Sequence, residues 1–115
     1  MVTIIEKSDL QIIKKMNERI IKNFIDIIIM AELRNGVLSG FDILNFIHNR
    51  FQLLISSGTI YSLLYSLERN GLIDGIWNER KRTYRLTEKG KHSIDTLLKT
   101  DPDIRNFMTN FLRVQ

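Results

Sequence analysis

A cluster of basic side chains between residues 79 and 92 is the part of the sequence best suited to bind a ligand through charge. The six basic residues are Arg80, Lys81, Arg82, Arg85, Lys89 and Lys91. Only Glu79 and Glu88 oppose them, and basic and acidic residues are equally numerous in the rest of the chain, so the net charge of +4 comes from this window. Such a patch is typical of a docking surface for a polyanion, although a solvated basic hairpin or helix start without a partner would have the same composition.

Hydroxyl and phenol side chains form a second set, on the outer face of a helix that we predict to begin at Ser56 or Ser57. The outward residues are Ser57, Thr59, Tyr61 and Ser62, next to Gly58. Short side chains let a helix backbone approach phosphates and base edges, and a helix N-terminus attracts anions. The alternative is that the hydroxyls only cap and solvate the helix while the Tyr61 ring packs on the core. For Ser56 and Ser66 taken alone, we favour that alternative.

The residue types that catalysis and metal binding need are scarce. The chain has no cysteine, which excludes disulfides, cysteine nucleophiles and cysteine-bound metals. Around its two histidines, His48 and His92, the nearby aspartates and glutamates do not form a metal-ligand set. The sequence has no Gly-x-Ser-x-Gly elbow, no glycine-rich phosphate loop and no carboxylate pair in an apolar setting. We therefore predict a protein that is not an enzyme and that uses no cofactor and no metal.

Length and composition indicate one globular unit. A chain of 115 residues with 43% hydrophobic residues suits a single domain. The longest uncharged stretch, residues 51–67, is interrupted by serine, threonine, glutamine and glycine, so we predict no membrane span. Charged residues begin at Glu6 and Lys7, before the apolar core of a signal peptide could form. We expect a cytoplasmic protein with no membrane partner.

Apolar periodicity and capping residues predict three helices before residue 72. The first begins at Ser8, where Gln11 completes a capping box, and ends at Asn35 and Gly36, with a possible break near Asn17. The second runs from Ser39 to Arg50 or Phe51, and the third from Ser56 or Ser57 to Asn70 and Gly71. The inward stripe of the third helix is Ile60, Leu63, Leu64 and Leu67.

A two-stranded hairpin and two more helices complete the predicted order. Residues 72–78 and 81–86 alternate in polarity like strands, with a charged tip at Glu79 and Arg80. Thr87 caps a fourth helix, and a last helix begins at Asp101 and Pro102. The fold class is mainly α with a small β-hairpin. Three helices followed by a basic hairpin are the winged helix-turn-helix arrangement, here with extra helices at both ends.

Three stretches of the chain resemble the PadR-type transcriptional regulators. They are residues 36–47 (GVLSGFDILNFI), 57–73 (SGTIYSLLYSLERNGLI) and 81–91 (KRTYRLTEKGK), with Trp77 in the expected strand. The middle stretch is the most diagnostic, because Leu-Thr-x-x-Gly in the last one recurs among many winged-helix regulators. Family members often have proline where this chain has Ser62 and a basic residue where it has Ser66, so details of groove contact differ here.

The resemblance implies a homodimeric repressor that binds a near-palindromic operator in double-stranded DNA and is often released by a small effector. Carried over by position, the residues in or beside the major groove are Thr59, Tyr61 and Ser62. The wing residues that would contact phosphate or the minor groove are Arg80, Lys81 and Arg82. We take Trp77 as structural.

Apolar stripes outside the winged helix suggest a dimer independently. We divide the chain into an N-terminal helical extension (1–16), a DNA-binding winged helix-turn-helix (17–86) and C-terminal dimerisation helices (87–115). The last helix carries Ile104, Phe107, Met108, Phe111 and Leu112, and the first carries Leu10, Ile12, Ile13 and Met16. Such stripes need cover, either within the chain or from a second copy, and the resemblance favours the second copy. An effector pocket between the terminal helices could be lined by Phe107, Met108 and Phe111, although such residues are more often plain dimer core.

Two other functions remain open at this level. The winged helix could be a protein-interaction module whose basic hairpin docks an acidic partner, and exposed apolar residues on the third helix would favour it. The dimer could also act mainly as a sensor of a small molecule.

Overall fold

The computed structural model describes residues 6–111, apart from the side chains at 101, 108, 109 and 111. The elements in chain order are α1 (Lys7–Asn23), α2 (Ile25–Leu33), β1 (Leu38–Ser39), α3 (Gly40–Phe51), α4 (Ser57–Arg69), β2 (Ile73–Asn78), β3 (Lys81–Leu86), α5 (Glu88–Lys99) and α6 (Asp101–Phe111). The strands form an antiparallel sheet in the order β1-β3-β2. This is the winged helix-turn-helix that the sequence predicts, with additional helices at both ends. Between residues 6 and 111, no helix is both long and apolar enough to cross a lipid bilayer.

The first predicted helix differs from the structure at its start and at its break. The N-cap of helix α1 is Glu6, two residues before the predicted Ser8, and the Asp9 carboxylate accepts a hydrogen bond from the Glu6 N–H at 3.1 Å. The capping box predicted at Ser8 and Gln11 is therefore wrong, because Asp9 already occupies the third position of the helix. The break lies at Phe24 rather than near Asn17. It separates a helix with no buried residue from one that enters the core.

Local hydrogen bonds confirm the other predicted helix starts. Ser39 Oγ accepts from the Asp42 N–H at 3.1 Å, and the Asp42 carboxylate accepts from the Ser39 N–H at 3.0 Å, which is a complete capping box. Ser56 Oγ caps α4 by accepting from the Thr59 N–H at 3.1 Å. Thr87 Oγ1 caps α5 by accepting from the Gly90 N–H at 3.0 Å. Each cap satisfies a helix-end donor that would otherwise lack a partner.

The core lies between α2, α3, α4, α5 and the sheet. Its fully buried side chains are Ile29, Ile43, Ile47, Ile60, Leu64, Ile73 and Ile94. The predicted inward stripe of α4 is confirmed, since Ile60, Leu64 and Leu67 are buried and Leu63 is half-buried. Helix α5 shares this core through Ile94, so the division at residue 86 marks a proposed change of role and not a gap in packing.

The predicted hairpin is part of a larger sheet. Strands β2 and β3 pair from Ile73↔Leu86 to Asn78↔Lys81, as the alternation predicts. The other edge of β3 pairs with β1, through Leu38↔Tyr84 and Ser39↔Thr83. The extended piece before α3 thus provides a third strand, which covers an edge that a two-stranded hairpin would expose. The turn contains no glycine, and Glu79 adopts the left-handed conformation there, with φ 60°.

Candidate nucleic-acid interface

The four predicted residues of α4 all lie at the exposed N-terminal part of that helix. The side chains of Ser57, Thr59, Tyr61 and Ser62 are exposed. Thr59 Oγ1 is 2.9 Å from Ser56 Oγ, so the hydroxyl of Thr59 is hydrogen-bonded to the capping serine. Helix α4 therefore presents a polar end with unoccupied backbone donors, which is the part of a helix that attracts anions.

Tyr61 both packs its ring within the fold and faces outwards, which are the two alternatives that the sequence left open. Its ring packs on the backbone of Gly40 at the start of α3, where an added Cβ would lie 2.6 Å from the ring. Only a glycine allows this close approach. The side chain is nevertheless 49% exposed, so the phenol remains accessible from outside. The packing fixes the ring in place while about half of the side chain stays exposed.

The wing tip, residues 79–81, carries two exposed cations. Arg80 forms no ion pair with any residue between 6 and 111 that the structure describes. Lys81 Nζ lies 3.8 Å from the Asp42 carboxylate at the start of α3, and both side chains are largely exposed. The pKa of Asp42 is below its ordinary value, first because the Ser39 N–H donates to it, then through the Ser39 hydroxyl and Lys81. Such an exposed pair contributes little stability and leaves Lys81 accessible to other anions.

Arg82, the third predicted wing residue, has a different environment. Its Nη2 donates a hydrogen bond to Glu68 Oε2 of α4 at 2.6 Å, and its guanidinium lies over the Tyr84 ring, 5.6 Å from the centroid. Burial raises the pKa of the Tyr84 phenol, and the charge of Arg82 acts in the opposite direction. The three wing cations therefore divide into two that face outwards and one that is bound within the fold.

A groove of about 420 Å³ joins these features. It runs between the start of α3, the outer face of α4 and the wing. Its lining residues are Ser39, Phe41, Tyr61, Trp77, Arg80, Lys81, Arg82 and Tyr84. Aromatic and cationic side chains are thus interleaved around one depression. This combination can hold phosphates through the cations and sugars or base edges through the rings.

Two aromatic residues of this groove were missed by sequence reasoning. Trp77, for which the sequence predicts a structural role, is 69% exposed. Phe41 is also exposed. The signal lay in their positions: Trp77 is one residue from the end of β2, beyond the reach of the core. Phe41 lies out of phase with the inward residues Ile43 and Ile47 of α3.

We call α4 residues 57–62, the wing tip and this groove the polar surface.

A second exposed surface is apolar. It consists of Leu10, Ile12, Ile13, Met16, Ile20 and Phe24 of α1 and its end, with Leu98, Ile104 and Phe107 of α5 and α6. A groove of about 670 Å³ within it is lined by Phe24, Ile27, Leu97, Leu98 and Ile104. Of the predicted dimer residues, Ile104 and Phe107 belong to this apolar surface, whereas the side chains of Met108 and Phe111 and the whole of Leu112 lie outside the described residues.

The two histidines lie apart. His48 on α3 and His92 on α5 are both exposed. Among the residues that the structure describes, no group of three or more histidine, aspartate or glutamate side chains could hold a metal ion.

Comparison with known protein families shows which family this chain belongs to. The model of the Transcriptional regulator PadR-like family matches residues 29–96, from α2 into α5, which is more than half of the chain. The chain belongs to this PadR-like family. It is therefore a transcriptional regulator with a winged-helix fold, and the resemblance seen in the sequence is confirmed.

Solved structures of transcriptional regulators, two of them named as PadR proteins, have a similar fold. A transcriptional regulator from Clostridium thermocellum is 25% identical, with a TM-score of 0.71 over 83% of this chain and 96% of that one. A PadR family transcription regulator from Clostridium difficile R20291 is 27% identical, with a TM-score of 0.68 over 78% and 99%. Bacillus subtilis PadR, solved in complex with operator DNA, is 25% identical, with a TM-score of 0.55 over 78% of this chain and 48% of that one. A search of curated proteins finds no match.

Proposed function

We propose that this PadR-like chain is a repressor that binds a near-palindromic operator in double-stranded DNA as a homodimer and is released by a small effector. One observation carries the proposal. Tyr61 of α4 lines the same groove as Arg80 and Lys81 of the wing tip, so a single DNA duplex can contact both α4 and the wing. The relative from Bacillus subtilis, which binds operator DNA, supports the same partner for this chain.

The two parts of the polar surface would have different roles in DNA binding. Ser57, Thr59, Tyr61 and Ser62 would contact base edges and adjacent phosphates, because hydroxyl and phenol groups donate and accept hydrogen bonds in the major groove. Arg80 and Lys81 would contact the flanking phosphates, which supplies affinity for any sequence through release of counterions. Arg82, which the resemblance also assigns to DNA contact, is already bound to Glu68.

A homodimer would cover the apolar surface. Exposed aliphatic and aromatic side chains on α1 and α6 are typical of a protein interface. A two-fold axis between two copies would set the two α4 helices about one helical turn of DNA apart, or a multiple of it, which explains a near-palindromic operator. The apolar groove of about 670 Å³ beside Ile104 supports an effector site close to that interface.

The experiment that tests this proposal is selection of bound duplexes from a random DNA pool by the purified protein at about 150 mM salt, where the screening length is about 8 Å. We expect enrichment of a two-fold symmetric motif. The matched control is the variant Arg80→Ala/Lys81→Ala, which should recover the same motif with a much lower yield. An enriched motif without symmetry would contradict the dimeric reader, and recovery of unselected DNA alone would contradict sequence-specific reading.

The protein-interaction module is the second candidate, and exposed residues near α4 favour it. Tyr65 on α4 and Leu54 just before it are both exposed, and neither lines the groove of the polar surface. If the selection enriches no motif, an acidic protein partner becomes the better explanation of the basic wing. Variants Tyr65→Ser and Leu54→Ser would then abolish binding to that partner, whereas they should leave operator binding unchanged.

A further inference from the structure

Glu68, in the last turn of α4, connects that helix to both strands of the wing. Its Oε2 accepts hydrogen bonds from Arg82 Nη2 of β3 at 2.6 Å and from the Gly75 N–H of β2 at 3.3 Å. The side chains of Glu68 and Arg82 are 28% and 36% exposed, so solvent screens this pair less than the other wing ion pairs. We call Glu68, Gly75 and Arg82 the clamp.

The shape of the clamp depends on residue 75 being a glycine. A Cβ on Gly75 would lie 2.5 to 2.7 Å from the Nε, Nη2 and Cζ atoms of Arg82. The glycine therefore makes the space in which the guanidinium lies. The Tyr84 ring supports the guanidinium from its own strand. Arg82 Nε is buried and has no hydrogen-bond partner in the described part of the chain, so Glu68 and Tyr84 determine where the guanidinium lies.

The clamp lies next to the outward cations. Arg82 follows Arg80 and Lys81 directly in sequence, at the start of β3. The ion pair between Lys81 and Asp42 is long and exposed, which makes it a weak tether. The strongest polar link between α4 and the wing strands among the described residues is therefore the charged hydrogen bond between Glu68 and Arg82, one residue from the wing tip.

We propose that Glu68 is a positioning residue for DNA binding, which holds the wing tip at a fixed place relative to α4, and that Arg82 acts through Glu68 instead of contacting phosphate. This inference rests on the proposed function, since its ligand is duplex DNA. It goes further by giving an acidic residue a favourable role in binding a polyanion and by reassigning one of the three wing cations.

The direction in which one substitution changes the DNA affinity distinguishes a positioning role of Glu68 from a purely electrostatic one. If Glu68 were only a negative charge near DNA, Glu68→Gln would raise the affinity because it removes repulsion from the phosphates. If Glu68 positions the wing, Glu68→Gln lowers the affinity although it makes the protein more positive. The matched control is Asp74→Asn, since Asp74 is next to Gly75 in β2 and makes only a long, exposed ion pair with Arg85. Asp74→Asn should bind DNA as tightly as the wild type or slightly more tightly.

The assay is fluorescence anisotropy with a labelled duplex of about 30 base pairs that carries the selected motif, and a random-sequence duplex of equal length beside it. For Glu68→Gln we expect binding about fivefold weaker, the difference between a charged and a neutral hydrogen bond. The slope of log K against log salt should become less negative, because a displaced wing loses phosphate contacts. A purely structural role would lower the melting temperature and leave this slope unchanged in the folded protein.

Two further variants keep the proposal falsifiable if Glu68→Gln folds poorly. Gly75→Ala displaces the guanidinium without any change of charge, and only the end of a flexible side chain has to move, so it should fold and bind with the same defect as Glu68→Gln. In the double variant Glu68→Gln/Arg82→Met, we expect no loss beyond that of Arg82→Met alone, because both residues act through one interaction.

The outcomes distinguish failure of the clamp from failure of the proposed function. If the wild type binds neither duplex, the proposed function is wrong. If the wild type binds and Glu68→Gln behaves like Asp74→Asn, the clamp is wrong while the function stands. Independent effects of Glu68→Gln and Arg82→Met would likewise overturn it and return Arg82 to direct phosphate contact.

Discussion

The polar surface and the apolar surface of this molecule are built on different principles. The polar surface consists of a few side chains whose places are set by individual hydrogen bonds and close packing, such as Glu68 with Arg82 and Tyr61 on Gly40. The apolar surface is a broad area of aliphatic and aromatic side chains on α1, α5 and α6, for which total area matters more than any one contact. The polar surface therefore depends on the exact positions of a few side chains, whereas the apolar surface depends on its total area.

The largest effect is expected from a charge placed in the apolar surface. Ile104 is 42% exposed and lines the apolar groove. The variant Ile104→Asp should convert the proposed dimer to a monomer, because burying an unpaired carboxylate at an interface costs several kcal/mol. DNA binding should fall about 100-fold as the two half-sites are then bound separately. Analytical ultracentrifugation and DNA titration measure both changes.

Ile76→Asp is the matched control for that variant, since Ile76 is 41% exposed but lies on the wing. It should leave the oligomeric state unchanged. If Ile76→Asp dissociated the dimer and Ile104→Asp did not, the assignment of the two surfaces would be reversed.

Removing the outward cations should have the next largest effect. Arg80→Ala/Lys81→Ala should weaken binding to operator and random DNA equally, because phosphate contacts carry no sequence information. With four such phosphate contacts in the proposed dimer, we expect a slope of log K against log salt of about −3.5. The slope would approach about −5 if Arg82 made two further phosphate contacts in the dimer. The double variant should remove most of that slope. Lys15→Ala, on α1, serves as the control; an equal loss of slope there would mean that charge alone, and not the wing, drives binding.

Changes on α4 should be smaller and selective. Tyr61→Phe and Thr59→Ala should each weaken binding to the operator by about tenfold and leave random DNA almost unaffected, since a good base contact contributes about 1–3 kcal/mol of discrimination. Parallel titrations of both duplexes measure the difference. Ser66→Ala, further along α4, should change neither affinity. Equal losses on both duplexes would show that α4 contributes affinity and not specificity.

The smallest effect concerns the pH dependence of stability, and it should arise from the capping box of Ser39 and Asp42 at the start of α3. The pKa of Asp42 in the folded protein is lowered from its ordinary value of 3.8, chiefly by the Ser39 N–H. A lowered pKa stabilises the folded state at pH values above 3.8, and this stabilisation is lost as the pH falls through the lower value of the folded state. Chemical denaturation of the wild type and of Asp42→Asn should therefore show a gap in unfolding free energy that closes at acid pH. A gap of constant size would mean that the capping box does not depend on the carboxylate charge.

Local signals in the sequence predicted much of this architecture. The caps at Ser39, Ser56 and Thr87 were predictable because each bond joins residues three positions apart. The inward stripe of α4 follows from helical periodicity. The N-cap of α1 was misplaced by two residues because Asp9 and Gln11 are both plausible capping partners, and only the structure shows that Asp9 is used.

Features that depend on distant partners were not predictable in the same way. The pairing of β1 with β3 joins residues more than 40 positions apart, so the sheet was expected to have two strands and not three. Arg80, Lys81 and Arg82 are equivalent in sequence, and only the position of Glu68 across the sheet separates the third from the other two. Exposure of Trp77 depends on where the core ends below the wing, which strand alternation alone does not reveal.

The position of Trp77 gives the protein an optical signal of its own. It is the single tryptophan of the chain, and it lines the groove between the wing and α4. Its emission therefore reports from the polar surface alone, free of any contribution from the apolar surface. A duplex entering the groove would shield the indole from water and shift that emission to the blue, so occupancy of this face could be followed without attaching a dye.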